Sequence, residues 1–188
     1  MERTTPKKDK PDGFPHIMVC DPSFTGWGYV IIDYKGNVKK AVVIKTNSES
    51  KKRRIRKGDD RIRRVNEINS ILLEDIRDWN VQAILTEQPH GSQSASAAIM
   101  IGIVIGVIQT LSDCLGIPVE WYSEGDSKHA LVGKRSATKE ETIKKVKQYY
   151  DDVPWTGVGF RDEAIADSMS IYHLAKRTSE LLKFLSKS

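Results

Sequence analysis

Residues 17–20 are apolar without a break, and the run stops on Asp21. The chain then passes through Pro22-Ser23-Phe24-Thr25-Gly26 and enters a second β-rich run at residues 27–32. That order predicts a buried strand, a tight turn and a paired strand. Lys35-Gly36-Asn37 reads as a second turn and residues 38–45 as a third strand, which makes an antiparallel meander. From Asp60 the pattern takes a helical period. Ile62, Val65, Ile68, Ile71, Leu72 and Ile76 fall on one face, with Asp59 or Asp60 as the cap. Residues 81–86 are a short core-type strand that ends on Glu87. A helix rich in small residues follows at about 94–115. Its Gly102 and Gly106 share one face, where the helix can press on a sheet or a partner helix. Gly116-Ile117-Pro118 stops it, and residues 119–122 form a strand in βαβ order. Residues 126–131 read as a short helix. Thr138 and Glu141 have capping-box spacing for a helix running to about Tyr150. After a Pro/Gly-rich connection at 151–160, Asp162 opens a last helix that carries Ala164, Ile165, Met169 and Ile171.

The chain of 188 residues fits one domain with a real core. Residues 1–15 are rich in Lys, Pro and Asp and read as a disordered basic arm. The folded domain is expected over residues 16–180 and a tail over 181–188. Residues 95–111 are the best membrane candidate, but glycines, serines and Gln109 interrupt them, so no crossing is expected. The charged N-terminus lacks the apolar segment of a signal peptide. Cys20 and Cys114 have no metal-ligand spacing and read as two buried free thiols in a reducing compartment. A cytoplasmic location is therefore expected, or the host cytoplasm if the protein is viral. The net charge of +5 points to a polyanionic partner. Lys51, Lys52, Arg53 and Arg54 concentrate that charge without interleaved acids, which suits phosphates better than solvent.

Acids stand in three costly places: Asp21 and Glu87 at the ends of core strands, and Asp162, Glu163 and Asp167 early in the last helix. An alternative for Asp21 is a turn-capping side chain. If the last helix crosses the sheet, these carboxylates meet. Mg²⁺, a hard ion that favours oxygen ligands, then resolves their repulsion. Two such ions suit a phosphoryl displacement.

These segments resemble the RuvC-like Holliday-junction resolvases of the RNase H-like superfamily. DPSFTGWGYVI is similar to the family's first strand with its catalytic Asp, and LTEQ to the strand ending in the catalytic Glu. KHALVGKRSATK is similar to the family's Lys-x4-Gly-x3-Ala-x-Lys segment, and ADSMSIYH to its last helix. The resemblance covers about residues 17–175. It implies an α/β, RNase H-like fold: a mixed five-stranded sheet, three antiparallel strands then parallel ones, with helices on both faces. It implies Asp21, Glu87 and Asp167 as catalytic, metal-binding acids. Many members place a fourth acid three residues before the last one, where this chain has Ala164. Others, including the plant chloroplast type, resemble one another in an acid five residues before, here Asp162. Asp162 is the preferred fourth ligand and Glu163 its rival.

By the same resemblance Lys128 and Lys139 hold or neutralise the scissile phosphate, although a solvent-facing helix position also accounts for Lys139. Lys134 and Arg135 contact phosphates. His90 stacks at the junction centre or is a solvated loop residue. The implied activity is a Mg²⁺-dependent endonuclease, with Mn²⁺ able to substitute. Such an enzyme makes paired symmetric nicks in a four-way DNA junction, with activated water leaving 5′-phosphate and 3′-hydroxyl ends. Two cuts imply a homodimer. Cleavage of RNA–DNA hybrids or other branched DNA, and junction binding without chemistry, are the alternatives.

Overall fold

The computed structural model describes residues 14–50, 54–92 and 94–185. Strands β1 (His16–Asp21), β2 (Gly26–Asp33), β3 (Val38–Lys45), β4 (Val81–Glu87) and β5 (Val119–Tyr122) form one sheet in the order β3-β2-β1-β4-β5. The first three make the expected antiparallel meander, and β4 and β5 add in parallel beside β1. Helices α1 (Lys57–Asp78) and α2 (Ala95–Leu115) cover one face. Helices α3 (Glu124–Val132), α4 (Lys139–Tyr149), α5 (Gly159–Thr178) and α6 (Glu180–Leu185) lie on the other.

The period of two along β1 divides its side chains between two cores. Met18 and Cys20 pack with Ile68 and Leu72 of α1 and Val104 and Ile108 of α2. Ile17 and Val19 pack with Ile165, Met169 and Ile171 of α5. Both faces are therefore covered, and β1 and β4 read as nearly continuous apolar runs for that reason. Local signals also hold. The Ser94 hydroxyl accepts from the Ala97 N–H at the start of α2, and Gly116 ends that helix at φ 66°, in the left-handed region. Thr138 and Glu141 make the reciprocal capping box.

Several expectations are corrected. α1 begins at Lys57, and Asp60 is not its cap. The Asp60 carboxylate is buried and accepts from the Ser48 hydroxyl, the Glu49 N–H and Arg63, tying the preceding loop to the helix. Ile62 is 61% exposed, at the edge of a groove between α1 and α2 rather than in the core. α3 starts two residues before the expected position, capped by Ser123, which brings in Glu124. Residues 181–185 belong to α6 instead of a tail, and Leu181, Leu182 and Leu185 pack against the second core. Cys20 is buried, but Cys114 is exposed. α2 is long and apolar enough to cross a membrane by length and composition, contrary to the reading of residues 95–111. Its Val104, Val107, Ile108 and Leu111 are buried against the sheet, and most of its other residues are not. Residues 1–13 and Lys51, Lys52 and Arg53 lie outside the described residues.

Candidate active site

β1 and β4 are parallel neighbours, with Cys20 opposite Thr86. Asp21 and Glu87 are the next residues on each strand, so both acids leave the sheet at the same edge. This is the carboxyl edge, where ligands bind in open α/β sheets. α5 crosses that edge and brings Asp167. Two contacts fix its approach. The Ser168 hydroxyl accepts from the Asp21 N–H at 3.1 Å and donates to the Ala164 carbonyl at 2.9 Å. Gly28, the β2 residue opposite Asp21, lies directly under Ala164. A Cβ built on Gly28 would stand 2.7 Å from the Ala164 Cβ, so only glycine admits the helix at this depth.

The three carboxylates share one electrostatic problem. Burial pushes Asp21 well above the usual carboxylate range, and the charges of Asp167, Glu87 and Glu124 add to the shift. Burial, then Glu124 and Asp167, raise Glu87 to about 7. Burial raises Asp167 to about 6, against the opposing pull of Lys128 and Lys139. None of the three carboxylates accepts a hydrogen bond from another described residue. The turn-capping alternative for Asp21 is thereby removed, and Ser23 and Thr25 pair with each other instead, at 3.4 Å. Lys128 faces the group from α3. Burial works against its charge, but its bond to Glu124 and the charges of Asp167, Glu124 and Glu87 raise its pKa. Glu124 escaped the sequence reading because the expected helix began after it. Its position four residues before Lys128 was the available signal.

Asp162 and Glu163 separate clearly. The Asp162 carboxylate is buried and accepts from the Thr156 N–H at 2.8 Å, the Thr156 hydroxyl at 2.7 Å and the Gly157 N–H at 3.1 Å. Those bonds close the loop into α5, so Asp162 does not line the cleft. This geometry favours Glu163 over the expected Asp162 as fourth acid. Glu163 does line the cleft, a space of about 530 Å³ that also includes Asp21, Lys139, Ala164 and Asp167. Lys139 pairs with Glu163 at 2.5 Å, and that bond, ahead of the charges of Glu163 and Asp167, raises the lysine's pKa.

Among the described residues, no three His, Cys, Asp or Glu side chains are set to hold one ion as they stand. The chemistry of the donors nevertheless fits a hard divalent cation. Three unbonded carboxylates are pushed upward by burial and by mutual repulsion, and such an ion relieves both causes.

The other expected DNA contacts are more dispersed. Lys134 and Arg135 are exposed but paired, with Glu141 at 2.6 Å and Asp126 at 2.5 Å. His90 is exposed in the loop after β4, and Arg54 is exposed before α1. The cleft also contains Arg64, the last member of the basic stretch, and Lys45, Asn47 and Phe160, which sequence reasoning missed. Lys45 sits over the Phe160 ring at 4.8 Å. Arg64 is buried four residues before Ile68, on the core face of α1. That spacing was the signal for its burial, passed over when residues 51–64 were read as one phosphate-binding basic segment.

The family model described as "Crossover junction endodeoxyribonuclease RuvC" matches residues 17–151. A curated relative of that name from Gluconobacter oxydans (strain 621H) is 28% identical over 169 residues, covering 87% of this chain and 92% of the relative. Another, from Anaeromyxobacter sp. (strain Fw109-5), is 30% identical over 110 residues, 58% of this chain and about half (52%) of the relative. Among solved structures, T. thermophilus RuvC in complex with a Holliday junction substrate superposes with a TM-score of 0.65 at 22% identity, covering 86% of this chain and 96% of that one. The yeast mitochondrial Holliday junction resolvase superposes with a TM-score of 0.59 at 12% identity, covering 97% and 84%. At these identities the two structures establish the shared RNase H-like architecture, and the sequence match over residues 17–151 places the chain in the RuvC family of crossover junction endodeoxyribonucleases.

Proposed function

We propose that this protein is a divalent-metal-dependent endonuclease that resolves four-way DNA junctions by paired nicks. The observation that carries the reading is that Asp21 and Glu87 end paired parallel strands at one edge, where the bond of Ser168 to the Asp21 N–H brings in Asp167 from α5. Asp21, Glu87 and Asp167, with Glu163 rather than Asp162 as the fourth acid, would hold a divalent ion, Mg²⁺ or in its place Mn²⁺, which would supply Lewis-acid activation of water and offset charge on the phosphate. The chain's own residues do the remainder. Lys139 is held at the cleft by Glu163 and is placed to exchange that partner for a phosphate oxygen. Lys128 balances the acids when they ionise. Ser168 and Gly28 keep α5 at the depth that sets Asp167 against Asp21.

Two symmetric cuts need two sites, so the working unit is a homodimer. Its interface is the outer face of α2 with the α1–α2 groove, where Ile62 is exposed and Gly106 forms part of the wall. A Cβ on Gly102 or Gly106 would meet nothing within 4 Å, so that face is open to a partner helix.

The test is cleavage of a labelled four-way junction, a fork and an RNA–DNA hybrid, with and without Mg²⁺, by the unaltered protein and by Asp21→Asn. Paired nicks in the junction only with Mg²⁺, and binding without cutting by Asp21→Asn, support the reading. Equal hydrolysis of the hybrid assigns the site to a broader nuclease.

A further inference from the structure

The cations of α1 divide into two kinds. Arg56 pairs with Asp59, and Arg63 pairs with Asp60 and Glu67. Lys57, Arg61 and Arg64 have no carboxylate partner among the described residues. Arg61 donates only to the Ser96 hydroxyl, at 3.0 Å. Arg64 donates to the Thr46 hydroxyl at 2.9 Å and the Phe24 carbonyl at 3.1 Å, with its guanidinium 4.1 Å over the Phe24 ring. Arg64 is only 5% exposed. Burial disfavours that charge, and the Asp60 and Glu67 carboxylates offset it through space without a direct ion pair.

All three unpaired cations line one cleft of about 370 Å³, with Ser48, Asp60 and Ser96. The Asp60 carboxylate in that wall is already taken by Ser48, the Glu49 N–H and Arg63. The cleft is continuous with the catalytic one, since Ser48 and Arg64 line both. A ligand running out of the active site past Arg64 therefore meets Arg61 and Lys57 next.

We propose that Lys57, Arg61 and Arg64 form a second phosphate subsite, which holds the backbone phosphate flanking the scissile one on the same strand; this rests on the endonuclease reading. Arg64 sits at the shared wall and fixes the step between the two phosphates. Arg61 and Lys57 close on the outer one. The subsite positions the strand and reads no base, so its contribution is uniform over junction sequences.

The test is the salt dependence of junction binding in Ca²⁺, followed by cleavage in Mg²⁺. Each lost phosphate contact lowers the slope of log affinity against log salt by about 0.7 to 0.9. The double variant Lys57→Gln, Arg61→Gln changes cleft residues that make no ion pair, so it folds. Because the two cations hold one phosphate, its slope is expected to fall by about 0.7 to 0.9, with affinity down several-fold at moderate salt. Arg56→Gln removes one charge from the same helix end, but a paired one, and leaves the slope unchanged. Replacing the flanking phosphate by a neutral methylphosphonate weakens the unaltered protein and has little further effect on the double variant. That result separates strand phosphate from an unspecific field. An unchanged slope in the double variant, with normal cutting by the unaltered protein, overturns the subsite. Failure of the unaltered protein to bind or cut any junction instead overturns the endonuclease reading.

Discussion

Gly28 and Ala164 touch so closely that a β-carbon on the glycine would lie 2.9 Å from the alanine's carbonyl oxygen. The contact sets how deep α5 sits on the sheet, one turn before Asp167. Ala164 itself is 6% exposed, packed on Gly28 at the wall of the cleft.

Gly28→Ala is therefore expected to cost about 1–3 kcal/mol, the usual range for overpacking. It should also slow single-turnover cutting at least tenfold, because Asp167 moves with the helix. Urea unfolding and cleavage of a prebound junction check the two effects separately.

Asp162→Asn and Glu163→Gln should behave in opposite ways. Asp162→Asn weakens three bonds to Thr156 and Gly157, so it lowers stability by about 1–3 kcal/mol while folded protein still cuts. Glu163→Gln leaves stability nearly unchanged and slows cutting at least tenfold. Thermal unfolding and cutting rates per folded molecule decide between them. Normal cutting by Glu163→Gln would return the fourth place to Asp162.

The acids also predict a pH signature. Glu87 is raised from 4.5 to about 7 and Asp167 from 3.8 to about 6. The folded chain then holds protons that the unfolded chain has released. Stability from these groups is full below about pH 4 and is lost as pH rises through 6 to 7. For Glu87 the loss is at most on the order of 3 kcal/mol. In ion-free protein, Glu87→Gln should raise Tm more at pH 8 than at pH 4.5. Added Mg²⁺ should stabilise the unaltered protein at pH 8 and scarcely at pH 5, since ionised carboxylates bind it. Calorimetric scans at those pH values check both.

Gly106→Leu should leave the fold intact, because no atom within 4 Å opposes a Cβ there in the single chain. It should shift sedimentation toward the monomer and convert paired cutting into single nicks. An unaltered dimer with unaltered paired cutting would remove α2 from the interface.

The sheet was legible because its strands obey simple patterns. β1 is an apolar run stopped by Asp21, and β2 and β3 are separated by a short turn. The helix caps Ser94, Gly116 and Thr138 were legible for the same local reason. Asp21 and Glu87 drew attention because an acid at a core-strand end contradicts its surroundings, whereas Asp167 was separated from Asp162 and Glu163 by the family resemblance alone. What was not legible depended on direction. Asp162 and Glu163 are adjacent in sequence, and only the loop at Thr156 and Gly157 shows which one turns away. Arg64 lay at the end of a basic run, and its burial follows from its bonds to Thr46 and Phe24, which the helical period alone does not show. Ile62 fitted the apolar period but lies beyond the edge of the core.

The central claim, that Asp21, Glu87 and Asp167 form one ion site, is tested most directly by calorimetric titration of Mn²⁺ at pH 8 into the unaltered protein and the variants Asp21→Asn, Glu87→Gln and Asp167→Asn. Binding in the unaltered protein with at least tenfold loss in each variant is the predicted result. Equal affinity in all four proteins would contradict it.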